Sequence, residues 1–286
     1  MSTAAGVRAL ARDVVAATRG HDLALYAAGV VFYAAIGFVP LLLLALYLAG
    51  LIAGESTVRM LADGLAGLLP NQLGAADAGR FLASAGTSLG GPRALVALVP
   101  ASLYGEGLVR AFDRLSDAGE PGRRSLRGRL GSLLLVAASP FLLLAGLAAT
   151  RGLTASLGDG LGARVLGVYV AFVVGWLSIS VLLVLTYRGI APDRCGPRAL
   201  LWGAFSTGSF LSGTSLGFVL FLSLGIDLGG AYGGSSVLAT GAVALGWLLV
   251  LHVVVLVGYV LTLRLEARGG HPLRVPTGPD LVRDAA

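Results

Sequence analysis

The chain has 286 residues, of which 56% are hydrophobic and only 13% charged, with a formal net charge of +6 and a mean hydropathy of +0.85. Soluble domains carry about 25% charged residues, so this chain has too little polar surface to cover a water-exposed core. That excludes a disordered protein and a cytosolic enzyme and leaves a polytopic all-α membrane protein. Every basic residue is Arg, and the Arg residues sit in short segments between apolar runs, a pattern of membrane topology rather than of nucleic-acid binding. The single cysteine, Cys195, excludes an internal disulfide and a Cys-based zinc cage.

In chain order, residues 1–22 read as a cytoplasmic amphipathic segment. Val7, Leu10, Val14 and Val15 share one face, Arg8, Arg12 and Arg19 spread over the rest, and the segment is expected to rest on the inner leaflet. No apolar core with a cleavage site follows, so a secretory signal is not expected. A bilayer core of about 30 Å needs about 20 apolar helical residues. Leu23–Gly54 supplies the first span, with Pro40 as an expected helix break. Glu55 to Arg93 is too long for a turn. Val58, Leu61, Ala62, Leu65, Leu68 and Leu69 follow helical spacing up to Pro70, which predicts a short amphipathic helix on the outer surface or capping the bundle. The second span runs from about Arg93 to Leu115 and requires Glu106 to lie inside the protein or near a membrane face. Leu130–Thr150, Val165–Tyr187, Ala199–Ile226 and Leu228–Leu263 hold spans three to six, which makes 23–268 the membrane domain and 269–286 a disordered cytoplasmic tail.

Six spans put both termini on one side, and the Arg residues divide accordingly. Sixteen fall in the N-terminal segment, the loops after spans two and four, and the tail, while Arg59, Arg80, Arg93, Arg151 and Arg164 make five on the other side. The positive-inside rule then predicts a multi-pass protein of the bacterial inner (plasma) membrane with both termini cytoplasmic. The expected partners are membrane lipids, with anionic lipid at the cytoplasmic Arg loops. Arg123, Arg124, Arg127 and Arg129 lack interleaved aromatics to stack bases, so nucleic acid is not expected.

Several motifs occur in a set order: Tyr26-Ala27-Ala28-Gly29, Phe32-Tyr33 and Pro40-Leu41-Leu42-Leu43 in span one, a basic amphipathic Leu103–Arg114, then Pro192, Arg198 and Gly203, and a Tyr232-Gly233-Gly234-Ser235 turn before the last span. Their order and spacing resemble the YihY/BrkB family of bacterial inner-membrane proteins. The resemblance covers about Asp22 to Arg268. It implies a membrane protein of a family without a settled biochemical function, to which ribonuclease, serum-resistance and transport labels have been attached. Two positions depart from the family pattern. Gly258-Tyr259-Val260 stands where a Gly-Ala-Glu is common, and Gly37 and Phe38 stand where a Ser often precedes the span-one Pro.

Candidate polar groups follow from what a bilayer penalises. A charge at its centre costs on the order of 3 kcal/mol or more. Glu106 with Arg110 at i+4 is therefore either an interfacial ion pair or a carboxylate facing a cavity. His252, deep in span six, is either a neutral hydrogen-bonded side chain or a functional ionisable group. No second His is near it, so no metal site is expected, and no cofactor is expected either. Ser209, Gly213 and Gly217 form a small-residue ladder that predicts close helix packing, with Ser206, Thr207 and Ser212 as a polar path in the competing reading. Tyr232, Gly233 and Gly234 are expected to turn the chain. The segments 86–90 and 213–217 both match Gly-x-Ser-x-Gly, but neither has the strand-to-helix turn a hydrolase needs. The leading expectation is a transporter-like or lipid-handling protein without enzymatic chemistry. A structural scaffold of the envelope is the alternative, and a membrane-bound nuclease a distant one. Oligomeric state is not legible.

Overall fold

The computed structural model describes residues 3–66, 75–116, 124–156, 161–193, 195–223 and 229–269, and the described residues are helices and turns without strands. The helices are α1 (Thr3–Thr18), α2 (Leu23–Ala53), α3 (Glu55–Ala66), α4 (Ala75–Thr87), α5 (Gly91–Leu115), α6 (Arg124–Ser156), α7 (Leu161–Gly189), α8 (Pro197–Ser223) and α9 (Ser236–Arg268). Five of them, α2, α5, α6, α7 and α9, contain segments long and apolar enough to cross a membrane. Helix α8, with 27 residues, is comparable to these in length, and Ser, Thr and Gly interrupt its apolar residues. It packs between α7 and α9.

Close contacts set the directions of the long helices. Gly107 of α5 packs on Tyr33 and Gly37 packs on Pro100, Gly105 meets Gly128 of α6, and Gly131 meets Gly189 and Ile190 at the end of α7. Gly208 of α8 packs on Ser180, and Gly203 packs on Thr262 of α9. Each long helix is therefore antiparallel to the next, and one end of the bundle gathers the start of α2, the end of α5, the start of α6, the end of α7, the start of α8 and the end of α9. Helix α1 joins that same end. Arg268 donates to the Asp13 carboxylate at 2.6 Å and to the Gly6 carbonyl at 3.3 Å. Val14 of α1 is buried, while Val7 and Val15 stay exposed.

The main core lies at this Arg-rich end, where Phe112 packs 4.5 Å from Tyr259 and 5.9 Å from Tyr187, among Leu108, Ile190 and Leu256. The flanks of the bundle behave differently. Phe32, Val96, Phe141, Tyr169, Trp202 and Phe210 are all more than 60% exposed. Aromatic and aliphatic side chains exposed this widely are unfavourable in water and expected against acyl chains.

Two expectations are corrected. Pro40 does not break span one, because α2 continues through it, as α5 and α6 continue through Pro100 and Pro140. A long buried helix can tolerate the missing N–H where neighbouring helices support the backbone. The last span starts at Ser236, within the Leu228–Leu263 stretch and after the expected turn. Gly230–Tyr232 form a single 3-10 turn, Gly233 and Gly234 take φ of 63° and 82°, and the Ser235 hydroxyl caps α9 by accepting from the Leu238 N–H. Such positive φ values suit glycine, so the expected turn at Tyr232, Gly233 and Gly234 is where the sequence put it. Among the described residues, the connection between α2 and α5 holds two helices where one was expected. Val58, Leu61 and Ala62 of α3 are buried, and α3 and α4 cap α2 by burying Leu46, Ala49 and Ala83 with them. The expected Leu65, Leu68 and Leu69 side chains, and the tail from residue 270, lie outside the described residues.

Candidate functional site

Backbone proximity builds the first polar cluster. A Cβ on Gly128 would come within 2.8 Å of the Gly105 carbonyl oxygen, so only glycines allow α5 and α6 to cross this closely. The crossing brings the next residue on α5, Glu106, beside the next on α6, Arg129. Glu106 is 7% exposed. One of its carboxylate oxygens accepts from Arg110 Nη2 at 2.6 Å. The other accepts from Arg129 Nη2 at 3.3 Å and Nε at 3.4 Å. The Arg110 guanidinium also lies 5.9 Å from the centre of the Tyr33 ring on α2, within cation–π range. Ser132, wholly buried, closes the crossing by donating to the Arg129 carbonyl at 2.6 Å. The Glu106–Arg110 pair was legible in the i+4 spacing. Arg129 was not, because it lies 23 residues downstream and across a loop. The paired glycines just before each partner were the available signal.

The second cluster links α5 to α9. His252 is buried, its Nδ1 lies 2.7 Å from the Leu248 carbonyl oxygen, and its Nε2 lies 3.1 Å from the Tyr104 hydroxyl. A carbonyl only accepts, so Nδ1 carries the proton and neutral Nε2 accepts from Tyr104. The imidazole is thus hydrogen-bonded at both nitrogens, inside its own helix and to a neighbouring one. Tyr104 and Glu106 leave α5 on different faces, so His252 and Glu106 belong to separate clusters.

The third cluster was missed from sequence. The connector between α7 and α8 is pinned to α9 by two buried carboxylates. Asp193 accepts from the Tyr259 hydroxyl at 2.5 Å, and Glu266 accepts from the Gly196 N–H at 2.9 Å. Tyr259 is the residue at which the chain departs from the family's Gly-Ala-Glu, and here it is a donor to an acid from another element. Cys195 lies in the same connector. Burial, followed by the nearby Glu266 and Asp193 carboxylates, pushes its thiol up to about 12, so it stays protonated at neutral pH and is a poor nucleophile. Among the described residues, no group of three or more His, Cys, Asp and Glu side chains is placed to hold a metal ion.

Helix α8 requires a correction. Ser209, Gly213 and Gly217 are exposed, and added Cβ atoms at the two glycines would meet nothing within 4 Å. Among the described residues the ladder makes no close helix contact: Ser209 and Gly213 are open, and Gly217 borders a groove. Close packing is carried instead by Gly203 and Thr207 on α8 against Thr262 and Gly258 on α9. The sequence contains both sets at four-residue spacing, and only the rotation of α8 about its axis chooses between them. Thr207 is 2% exposed and donates to the Gly203 carbonyl at 2.7 Å, so its hydroxyl is spent within its own helix. Ser206 is half-buried, and Ser212 is buried with its hydroxyl oxygen unpartnered. Of the two Gly-x-Ser-x-Gly matches, one straddles the end of α4 and the other lies in the middle of α8, and neither follows a strand.

From the last rung of the ladder, toward the end of the bundle opposite the Arg-rich one, α8 and α9 enclose an open groove of about 410 Å³. Gly217, Phe218, Phe221, Val243, Gly246, Trp247 and Val250 line it. Phe218 stacks on Trp247 with ring centres 4.3 Å apart, and the glycines supply the missing wall.

These features define a multi-pass helical membrane protein with ion-paired, tightly packed contacts at one end and an apolar groove at the other. The family model for virulence factor BrkB matches residues 14–276, nearly the whole chain, so the chain belongs to the YihY/BrkB family. No curated protein and no solved structure matches the chain.

Proposed function

We propose that the chain is a six-span protein of the bacterial inner membrane, with α8 crossing alongside α2, α5, α6, α7 and α9 and both termini cytoplasmic, and that it handles lipid in a transporter-like way without covalent chemistry. Topology is supported by the sixteen-to-five division of Arg residues and by the meeting of α1 with the end of α9. The observation that carries the functional reading is the α8–α9 groove. Its size falls within the range of about 300–1,000 Å³ typical of small-ligand sites, and its lining is entirely apolar or glycine. A polar solute would lose its hydration there without compensation, whereas an acyl chain would lose nothing.

Two measurements test this reading. A cysteine at Gly122 is expected to react with an impermeant thiol reagent only from the cytoplasm, and one at Gly74 only from outside; the reverse pattern overturns the orientation. In proteoliposomes, the protein is expected to speed exchange of a fluorescent phospholipid between leaflets, and Gly246→Leu, which fills the groove, is expected to remove most of that acceleration. Exchange no faster than in empty vesicles overturns the lipid-handling reading.

A further inference from the structure

The Glu106 cluster joins one carboxylate to two guanidinia. A guanidinium has five N–H donors in a planar fork. Glu106 takes one nitrogen of Arg110 and the Nε–Nη2 edge of Arg129. The side chains of Arg110 and Arg129 remain 61% and 50% exposed, while the Glu106 side chain is 9% exposed. One buried carboxylate therefore holds two half-exposed guanidinia, and a single negative charge cannot neutralise both. Those exposures leave guanidinium surface accessible on the outside of the cluster.

The surroundings define what could approach. Arg110 lies five residues before the end of α5 and Arg129 in the second turn of α6, at the Arg-rich end where the helices leave the bilayer. Phe32, 64% exposed, packs edge-on to Tyr33, and Leu130, Leu133 and Leu134 are exposed on α6. Charged donors thus sit beside apolar surface on the outside of the bundle. Arg at this depth reaches toward headgroups, and guanidinium is the side chain best matched to phosphate oxygens.

We propose that Arg110 and Arg129, aimed by the buried Glu106, form a binding site for the phosphate of an anionic phospholipid, with Phe32 and the α6 leucines against its acyl chains. This inference rests on the lipid-facing orientation proposed above, but not on the α8–α9 groove, which lies at the opposite end of the bundle. Glu106 here is a positioning residue. It fixes the two forks relative to each other and keeps them from collapsing onto other acceptors.

The test uses the full-length protein, delipidated in neutral detergent, with thermal melting followed as phosphatidylglycerol, phosphatidylcholine or inorganic phosphate is added. Phosphatidylglycerol is expected to raise the melting temperature, with phosphatidylcholine and inorganic phosphate much weaker. Arg110→Gln and Arg129→Gln are each expected to weaken phosphatidylglycerol binding about fivefold, the usual contribution of one basic residue beside an anionic lipid. Arg93→Gln, at the other end of α5, is expected to leave it unchanged. If a Gln variant does not fold, Arg110→Lys and Arg129→Lys keep the charge, lose the fork and should still bind more weakly than the native protein. Equal stabilisation by phosphatidylcholine, or an equal loss in Arg93→Gln, overturns the site. Stabilisation by inorganic phosphate as strong as by phosphatidylglycerol overturns the lipid assignment. Phosphatidylglycerol binding that survives alongside failed leaflet exchange would overturn the proposed function and leave this site standing; the opposite pair of results would do the reverse.

Discussion

At the Arg-rich end of the bundle, Gly105 and Gly128 bring α5 and α6 together backbone to backbone, whereas toward the other end of α8 Gly213 and Gly217 face open space. Both pairs are glycines in apolar helices, and by sequence the second pair, part of a regular four-residue ladder, looks the better packing motif. The difference lies in what stands opposite. Gly105 has the Gly128 carbonyl and Ser132 against it, while the Gly213 position has no atom within 4 Å. Small residues permit close approach in lipid, but permission becomes contact only where a second helix presents a matching surface.

Substitutions at the two ends should separate this contrast sharply. The largest effect is expected at Gly105, where a Leu would overlap the α6 backbone and cost about 3 kcal/mol or more, at the upper end of overpacking penalties. Its thermal unfolding in detergent should fall far below that of the native protein. An unchanged melting temperature would mean that α5 and α6 do not cross there.

A middle-sized effect is expected from Tyr259→Phe in the core of the same end. It keeps the ring packing on Phe112 but takes a donor from the buried Asp193, an unmet hydrogen bond that typically costs about 1–3 kcal/mol. Asp193→Asn combined with Tyr259→Phe should cost less than the sum of the two single changes, because both act on one bond. Strict additivity in thermal melts would show that the bond does not hold the α7–α8 connector to α9.

The smallest effect is expected from Gly213→Leu. The site is open, and Leu is a better helix former than Gly, so the change in stability should stay within about 0.5 kcal/mol. A loss as large as that of Gly105→Leu would erase the contrast and restore the ladder as a packing face.

Much of the architecture was legible because it depends on local sequence. Uninterrupted apolar runs mark the long helices, since the bilayer leaves their backbones no partner but themselves. Amphipathic spacing at Val58, Leu61 and Ala62 marked the first cap helix, and Gly233-Gly234 marked the turn before α9 because glycine tolerates positive φ. The Glu106–Arg110 pair was legible for the same reason, as both residues share one helix face. Helix α4 is nearly as amphipathic as α3 but was overlooked, because its buried face carries small residues such as Ala76 and Ala83 where α3 carries Val58 and Leu61.

Tertiary structure alone decided the pairings between elements. Arg129 joins Glu106 because two glycines let α5 and α6 touch, Tyr104 meets His252 because α5 also packs on α9, and Asp193 meets Tyr259 because the α7–α8 connector folds back over the bundle. The rotation of α8 chose Gly203 and Thr207 for the interior and left Ser209 and Gly213 open. Hydrophobic periodicity normally sets that rotation by separating a core face from a wet face. In a bilayer both faces of a helix are apolar, so sequence determines that such a helix forms and how long it is, while the shapes of its neighbours determine which side it shows them.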